Sequence, residues 1–155
     1  MHFTLTSTAF SEGNEIPALY TCEGRSISPP LVWTTPPVGT VSLALINDDP
    51  DAPGKTWVHW VVYNIPASVT ELPEGIPPDD ELPDGTRHGM TDFGRVGYGG
   101  PCPPSGTHRY FFKLYALDTK LSLEPGATKR QVERAMQGHV LGQGQLMGIY
   151  ERRGR

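Results

Sequence analysis

Cysteine is scarce in this chain, two residues in 155, which excludes the disulfide scaffold that small secreted domains use in place of a core. One bridge at most, Cys22 to Cys102, can form, and two free thiols are expected. Long apolar runs are absent too: no stretch approaches the about 20 residues that cross a bilayer, so no membrane span is expected. The start, Met1-His2-Phe3-Thr4-Leu5, has no basic region followed by an apolar one and does not read as a secretory signal. A cytoplasmic location is the expectation. Positive charge is in deficit, with 13 Lys and Arg against 17 Asp and Glu, so the field of the chain repels nucleic acid and anionic lipid.

Turn-forming residues are abundant, with 18 Gly and 16 Pro, and hydrophobic residues make up 37%. That balance predicts short elements joined by many defined turns, which an all-helical protein would not tolerate. The length suits a single domain over residues 1–155, able to bury about 70% of its unfolded surface.

Val41 to Asn47 and Trp57 to Tyr63 are rich in branched and aromatic residues, bounded by Asp, Pro and Gly, and read as strands buried on both faces. Arg109 to Leu117 is a third, with Tyr110, Phe112, Leu114 and Ala116 on one face. Weaker strand signals cover Phe3 to Thr6, Leu31 to Thr34 and Gln145 to Glu151. One helix is signalled, by the capping-box pattern Thr128-Lys129-Arg130-Gln131 ahead of Val132, Ala135 and Met136, with a stop near Gly138. Strands followed by a late helix, without alternating βα units, predict a mainly β protein: an antiparallel β-sandwich with a short C-terminal helix. Pro66 to Gly106 reads as loop, and Arg152-Arg153-Gly154-Arg155 as a frayed, solvated tail.

Two stretches carry most of the chemistry: Asp49-Pro50-Asp51-Ala52-Pro53 running into Trp57-Val58-His59-Trp60, and Gly99-Gly100-Pro101-Cys102-Pro103-Pro104 running into His108-Arg109-Tyr110. Each sets a histidine beside an aromatic behind a stiff Pro/Gly loop whose backbone N–H groups could meet an anion. Period-two geometry puts Trp57, His59, Val61 and Tyr63 on one strand face, His108, Tyr110 and Phe112 on one face of another, and Leu43, Leu45, Asn47 and Asp49 together on a third strand. If the strand ends converge, imidazoles, carboxylates and rings line one cavity. A lone strand histidine is usually a satisfied core residue; two beside such loops point to a site. Carboxylates with imidazoles suit a phosphate monoanion or a zwitterion such as a phosphoethanolamine head group.

These segments resemble the phosphatidylethanolamine-binding protein (PEBP) family, in its bacterial Raf-kinase-inhibitor-like group. Asp92-Phe93-Gly94, Gly97-Tyr98-Gly99-Gly100 and the closing Gly138-His139-Val140-Leu141 join the two stretches in carrying the match. The resemblance implies a PEBP-like β-sandwich whose pocket binds phosphate or a phosphoethanolamine-like group without catalysis or cofactor. It carries ligand binding onto Asp49, Asp51, Pro53, Trp57, His59, Gly100, Pro101, His108 and Tyr110, with Arg109 pairing to a carboxylate. It also implies a homodimer, a protein partner such as a kinase or protease, and a cis X-Pro bond in the Asp-Pro-Asp-Ala-Pro loop. Val58-His59 replaces the paired histidines of eukaryotic members, and their longer terminal helix is missing, so kinase regulation and flowering signals transfer poorly.

Rival readings are weaker. A hydrolase could use Cys102 as nucleophile with a histidine base, but prolines flank it and no helix N-terminus is signalled to activate it. Ser105 lacks the Gly-x-Ser-x-Gly elbow. A metal held by Asp49, His59 and His108 would need tertiary convergence, since the loop fails as an EF-hand, with Pro53 and Trp60 where oxygen donors belong. Asp92-Phe93-Gly94 lacks the other kinase motifs and reads as a turn with Phe93 packed. Gly142-Gln143-Gly144-Gln145-Leu146-Met147-Gly148 has the wrong spacing for a dinucleotide loop, and its glycines read as ending the helix and starting a strand.

Overall fold

The three strands with the strongest sequence signal form the centre of a five-stranded antiparallel sheet. In the computed structural model, which describes residues 3–153, these are β3 (Ser42–Asp49), β4 (Trp57–Pro66) and β7 (His108–Leu117). Two further strands, β6 (Arg87–His88) and β8 (Val140–Tyr150), complete the order β6-β4-β3-β7-β8. A smaller sheet has the order β1-β2-β5, from β1 (Leu5–Thr6), β2 (Leu31–Trp33) and β5 (Glu71–Leu72). The antiparallel sandwich is therefore present, and its main core, including Leu43, Leu45, Trp60, Val62, Phe112 and Leu114, has the small-sheet residues Leu5, Leu31, Trp33 and Leu72 in it.

The other face of the large sheet is buried as well, which is why β3 and β4 read as continuous apolar runs. There Ala44, Ile46, Val58, Val61 and Tyr63 pack with Leu117, Leu121 and the helix α1 (Lys129–Met136) through Val132 and Met136. Thr128 caps α1 as its capping box requires, its side chain accepting from the Gln131 N–H while the Gln131 side chain accepts from the Thr128 N–H.

Several expectations are corrected. A bulge interrupts β4 where Asn47 pairs with Trp60 but Asp48 pairs with Val58, leaving His59 as the extra residue. Beyond it the side-chain parity reverses: Val61 and Tyr63 join the outer cluster, while the His59 ring meets Tyr110 of the main core. Trp57 and His59 thus do not share a face with Val61 and Tyr63. A second irregularity between Leu43 and Leu45 accompanies the left-handed Asn64 (φ 57°), whose side chain bonds the backbone of Leu121 in both directions. Strand β8 begins at Val140, so Gly142, Gly144 and Gly148 lie inside it and only Gly138 stands between helix and strand. Gly144 and Gly148 admit the N-terminal segment: a Cβ on Gly144 would stand 2.5 Å from the Phe3 carbonyl oxygen, and one on Gly148 2.5 Å from Ile16 Cγ1.

The cysteines are not free. Cys22 and Cys102 form a disulfide, with Cα atoms 5.4 Å apart across a separation of 80 residues. Their loops meet through Cys22 N–H donating to Pro101 O (3.0 Å) and Gly100 N–H to Ser26 Oγ (2.9 Å), a juxtaposition with no local signal in the chain. No peptide bond is cis among the described residues, so the Asp-Pro-Asp-Ala-Pro loop is trans throughout. Nor is the tail frayed at its described positions: Arg152 Nε donates to Pro103 O (3.0 Å), and Arg153 pairs with Glu15 and Glu23. Gly154 and Arg155 lie outside the described residues. Pro66 to Gly106 is mostly irregular as expected, apart from β5 and β6. Among the described residues no helix is long and apolar enough to cross a membrane.

Candidate functional site

Because β3 runs antiparallel to both neighbours, its C-terminal end lies beside the N-terminal ends of β4 and β7. That places Asp49, Trp57 and His108 at one edge of the sheet, with Asp49 directly paired to Trp57. They open onto a cavity of about 280 Å³ lined by Asp49, Ala52, Pro53, Trp57, His59, Phe93, Cys102, Pro103, Pro104, His108 and Tyr110.

Both cavity histidines commit one nitrogen to the protein. His108 Nδ1–H donates to Asp49 Oδ2 at 2.7 Å, with both side chains almost wholly buried. The other Asp49 oxygen accepts the Asp51 N–H (2.7 Å). His59 Nδ1–H donates to the Gly99 carbonyl (2.7 Å), and the Gly99 N–H returns a bond to His59 O (3.0 Å), so ring and backbone are fixed together. Since a carbonyl oxygen, like that of a carboxylate, accepts, these bonds define Nδ1 as the donor in both rings and leave each Nε2 as the remaining hydrogen-bonding atom. Burial is the leading cause that pushes the His59 pKa down, opposed by the Gly99 bond and the charge of Asp49, so His59 is neutral near pH 7 and its Nε2 is an acceptor.

Aromatic rings set the walls. Tyr110 touches both imidazoles, edge-on to His59 (5.2 Å) and stacked with His108 (6.4 Å). Its hydroxyl is buried without a partner among the described residues, and its pKa is raised, first by burial and then by Asp49. Phe93 packs edge-on to Trp57 (5.7 Å) and His59 (5.3 Å). Its ring occupies the space a Gly99 Cβ would need, 2.3 Å away. On the flanking faces, Lys55 Nζ stands 5.9 Å from the Trp57 ring and the Arg95 guanidinium 5.2 Å from Phe93, so two cations border the aromatic side of the cavity.

Of the residues singled out in the sequence, Asp49, Pro53, Trp57, His59, His108 and Tyr110 line the cavity together. Asp51 does not; it takes a two-point ion pair from Arg109 (2.9 Å to each oxygen) and that guanidinium bond holds its carboxyl down at about 2. Gly100 and Pro101 stand behind the wall. A Gly100 Cβ would lie 2.3 Å from Tyr20 O, so this glycine serves close packing, and its N–H is spent on Ser26 Oγ. The Gly99 N–H is spent on His59, so neither amide is offered to an anion, contrary to the sequence expectation.

Ala52, Phe93, Cys102, Pro103 and Pro104 complete the lining without having been read as binding residues. Phe93 was visible in the sequence as a packed turn residue within Asp92-Phe93-Gly94, not as part of a binding wall. What seats it is Asp92, whose carboxylate accepts the Val58 N–H (2.7 Å) and Lys55 Nζ (2.9 Å). With Cys102 in a disulfide there is no thiol to ionise, which removes the cysteine nucleophile from the hydrolase reading. Among the described residues no group of three or more His, Cys, Asp or Glu is arranged to hold a metal.

A family model described as phosphatidylethanolamine-binding protein matches residues 6–151. A UPF0098 protein of Methanothermobacter thermautotrophicus is 57% identical over 148 residues, covering 96% of this chain and 98% of that one. One from Aquifex aeolicus is 52% identical over 149 residues, 94% of this chain and 86% of the other. Among solved structures, a Chlamydia trachomatis chain described as a PEBP homologue superposes with a TM-score of 0.91 at 43% identity, covering 98% of this chain and 99% of its own. Escherichia coli YbcL, described as a member of the mammalian PEBP family, gives 0.91 at 36% identity, covering 99% and 100%.

Proposed function

Since the chain belongs to the phosphatidylethanolamine-binding protein family, we propose that its cavity binds a small anionic ligand, phosphate or a phosphoethanolamine-like head group, and releases it unchanged. The observation that carries this reading is the matched commitment of the two imidazoles: each spends Nδ1 on a fixed protein acceptor and keeps Nε2 for a ligand. The two nitrogens are not equivalent. With the Asp49 carboxylate holding Nδ1–H, His108 is the ring that meets a phosphate oxygen through Nε2. His59, neutral in its buried setting, accepts from a donor. A singly protonated phosphate supplies both halves, P–O⁻ for His108 and P–OH for His59, whereas a dianion supplies only acceptors.

Trp57, Pro53, Phe93 and Tyr110 close the sides. Asp51 acts one step back, its N–H fixing Asp49 and its carboxylate engaging Arg109. Family membership supports two extensions: coupling of the occupied pocket to a kinase or protease partner, and a homodimer. Cytoplasmic residence, the expectation drawn from the sequence, requires the exposed disulfide to coexist with a reducing thiol pool.

Calorimetry at pH 6.5 tests the reading. Phosphate and phosphoethanolamine should each give a saturable heat, and Asp49→Asn should weaken binding about tenfold by removing the carboxylate that holds the His108 ring. Heat with phosphoethanolamine alone makes the ammonium group part of recognition. No heat with either, at millimolar ligand, contradicts the proposal.

A further inference from the structure

We propose that the cavity selects small phosphate monoesters whose other end is uncharged and apolar, and that it gives the ammonium group of phosphoethanolamine no partner. This rests on the ligand-binding reading above and deepens it: phosphoethanolamine is held by its phosphate alone.

Carboxylates that could meet an ammonium are committed elsewhere. Among the described residues Asp49 is the one carboxylate in the lining, and it is 3% exposed. Its two oxygens accept His108 Nδ1–H and the Asp51 N–H, each at 2.7 Å, so its charge is spent within the wall. Outside the lining, Asp51 takes the two-point pair from Arg109, and Asp92 accepts Lys55 Nζ (2.9 Å) and the Val58 N–H (2.7 Å). An ammonium drawn out of water into this cavity loses hydration without gaining an ionic partner.

The aromatic walls do not replace that partner. Trp57 and Phe93 could each receive a cation, but Lys55 Nζ already stands 5.9 Å from the first ring and the Arg95 guanidinium 5.2 Å from the second. A further cation at either ring would meet a like charge. What the end of the ligand away from the imidazoles finds is apolar: the Ala52 methyl and the rings of Pro53, Pro103 and Pro104 beside these two aromatics. A short alkyl group buries there, and each buried methylene strengthens binding by about fourfold.

A soluble monoester and the head group of phosphatidic acid present the same phosphate. The cavity, about 280 Å³, suits a short tail, and the net charge of -4 repels an anionic bilayer, so the soluble ester is the better fit.

Calorimetry at pH 5.5 with inorganic phosphate, n-propyl phosphate and phosphoethanolamine tests the proposal. The two esters have the same length and differ by a methyl in place of an ammonium. Below the second phosphate pKa of about 6, both carry mainly a singly charged phosphate. Propyl phosphate should bind about fivefold or more tighter than phosphoethanolamine, and tighter than inorganic phosphate. Ala52→Asp, which adds a carboxylate to the lining, should narrow or reverse the ratio of the two esters, while Ala52→Asn should leave it unchanged. If Ala52→Asp fails to fold, the parent series decides alone. On sedimentation with phosphatidic acid vesicles the protein should stay in solution. Phosphoethanolamine bound as tightly as propyl phosphate, or a ratio that Ala52→Asp and Ala52→Asn move alike, overturns the selectivity while the ligand-binding reading stands. Sedimentation with the vesicles overturns the soluble ester. No heat with any of the three overturns both readings together.

Discussion

His59 and His88 are both shut away from water in the folded chain, and for both burial is the leading reason that the ring resists protonation. An unfolded histidine takes its proton near pH 6.5, so as pH falls through that value the unfolded state binds more protons than the folded one. Stability is therefore fully present above that pH and declines below it. Asp51, whose pKa is held at about 2 by Arg109, keeps its charge throughout this window and contributes none of the slope. The urea midpoint should be lower at pH 5 than at pH 7. His88→Gln retains a donor for the Asp79 carbonyl, which His88 Nδ1 meets at 2.7 Å, and should shrink the difference. Equal midpoints at the two pH values in the parent protein would contradict this account. At this scale the sequence located the residue types. Asp51, expected among the binding residues, lies outside the cavity lining and takes a two-point ion pair from Arg109, while Phe93, read as packed in a turn, sits in that turn and also walls the cavity.

Strand order, which sets β7 beside β3, does not follow from period and turn chemistry. The main strands and the helix cap do, because that chemistry acts over a few residues and can be read locally. The bulge at His59 cannot, because it depends on the register between β3 and β4 and shows only as two residues opposing one. Without it, strict alternation would carry Trp57 and His59 on the same face as Val61 and Tyr63, away from the main core. The early start of β8 was hidden for a related reason: its glycines weaken the strand signal, and their purpose appears only when the N-terminal segment crosses them. Gly144→Ala tests that purpose. A new methyl would meet the Phe3 carbonyl oxygen at 2.5 Å and the Phe3 carbonyl carbon at 3.4 Å, backbone atoms that no rotamer change can move. Overpacking of this kind should cost about 1–3 kcal/mol in urea unfolding. An unchanged midpoint would mean that the segment does not sit tightly on β8.

The molecule as a whole assembles its cavity from stretches far apart in sequence: Asp49 to His59, Phe93, and Cys102 to Tyr110. Their convergence was legible to the extent that strand ends could be paired and a family pattern matched. The disulfide was not, because nothing along the chain indicates that residues 80 apart will meet. A closure of that length removes about 4–5 kcal/mol of chain entropy from the unfolded state in the loop-closure treatment, a large share of a marginal stability. One bond thus ties the fold's stability to the cavity wall, since Cys102 belongs to both.

The central claim is that His59 and His108, brought together by distant strands, serve one anion. Following all the histidine ring resonances by NMR during a phosphoethanolamine titration tests it most directly. The account predicts that His59 and His108 shift together along one saturation curve. His88 and His139, which lie outside the cavity lining, should stay still, and His59→Ala should blunt the His108 response. Resonances of His59 and His108 that do not move, or that follow different curves, would contradict it.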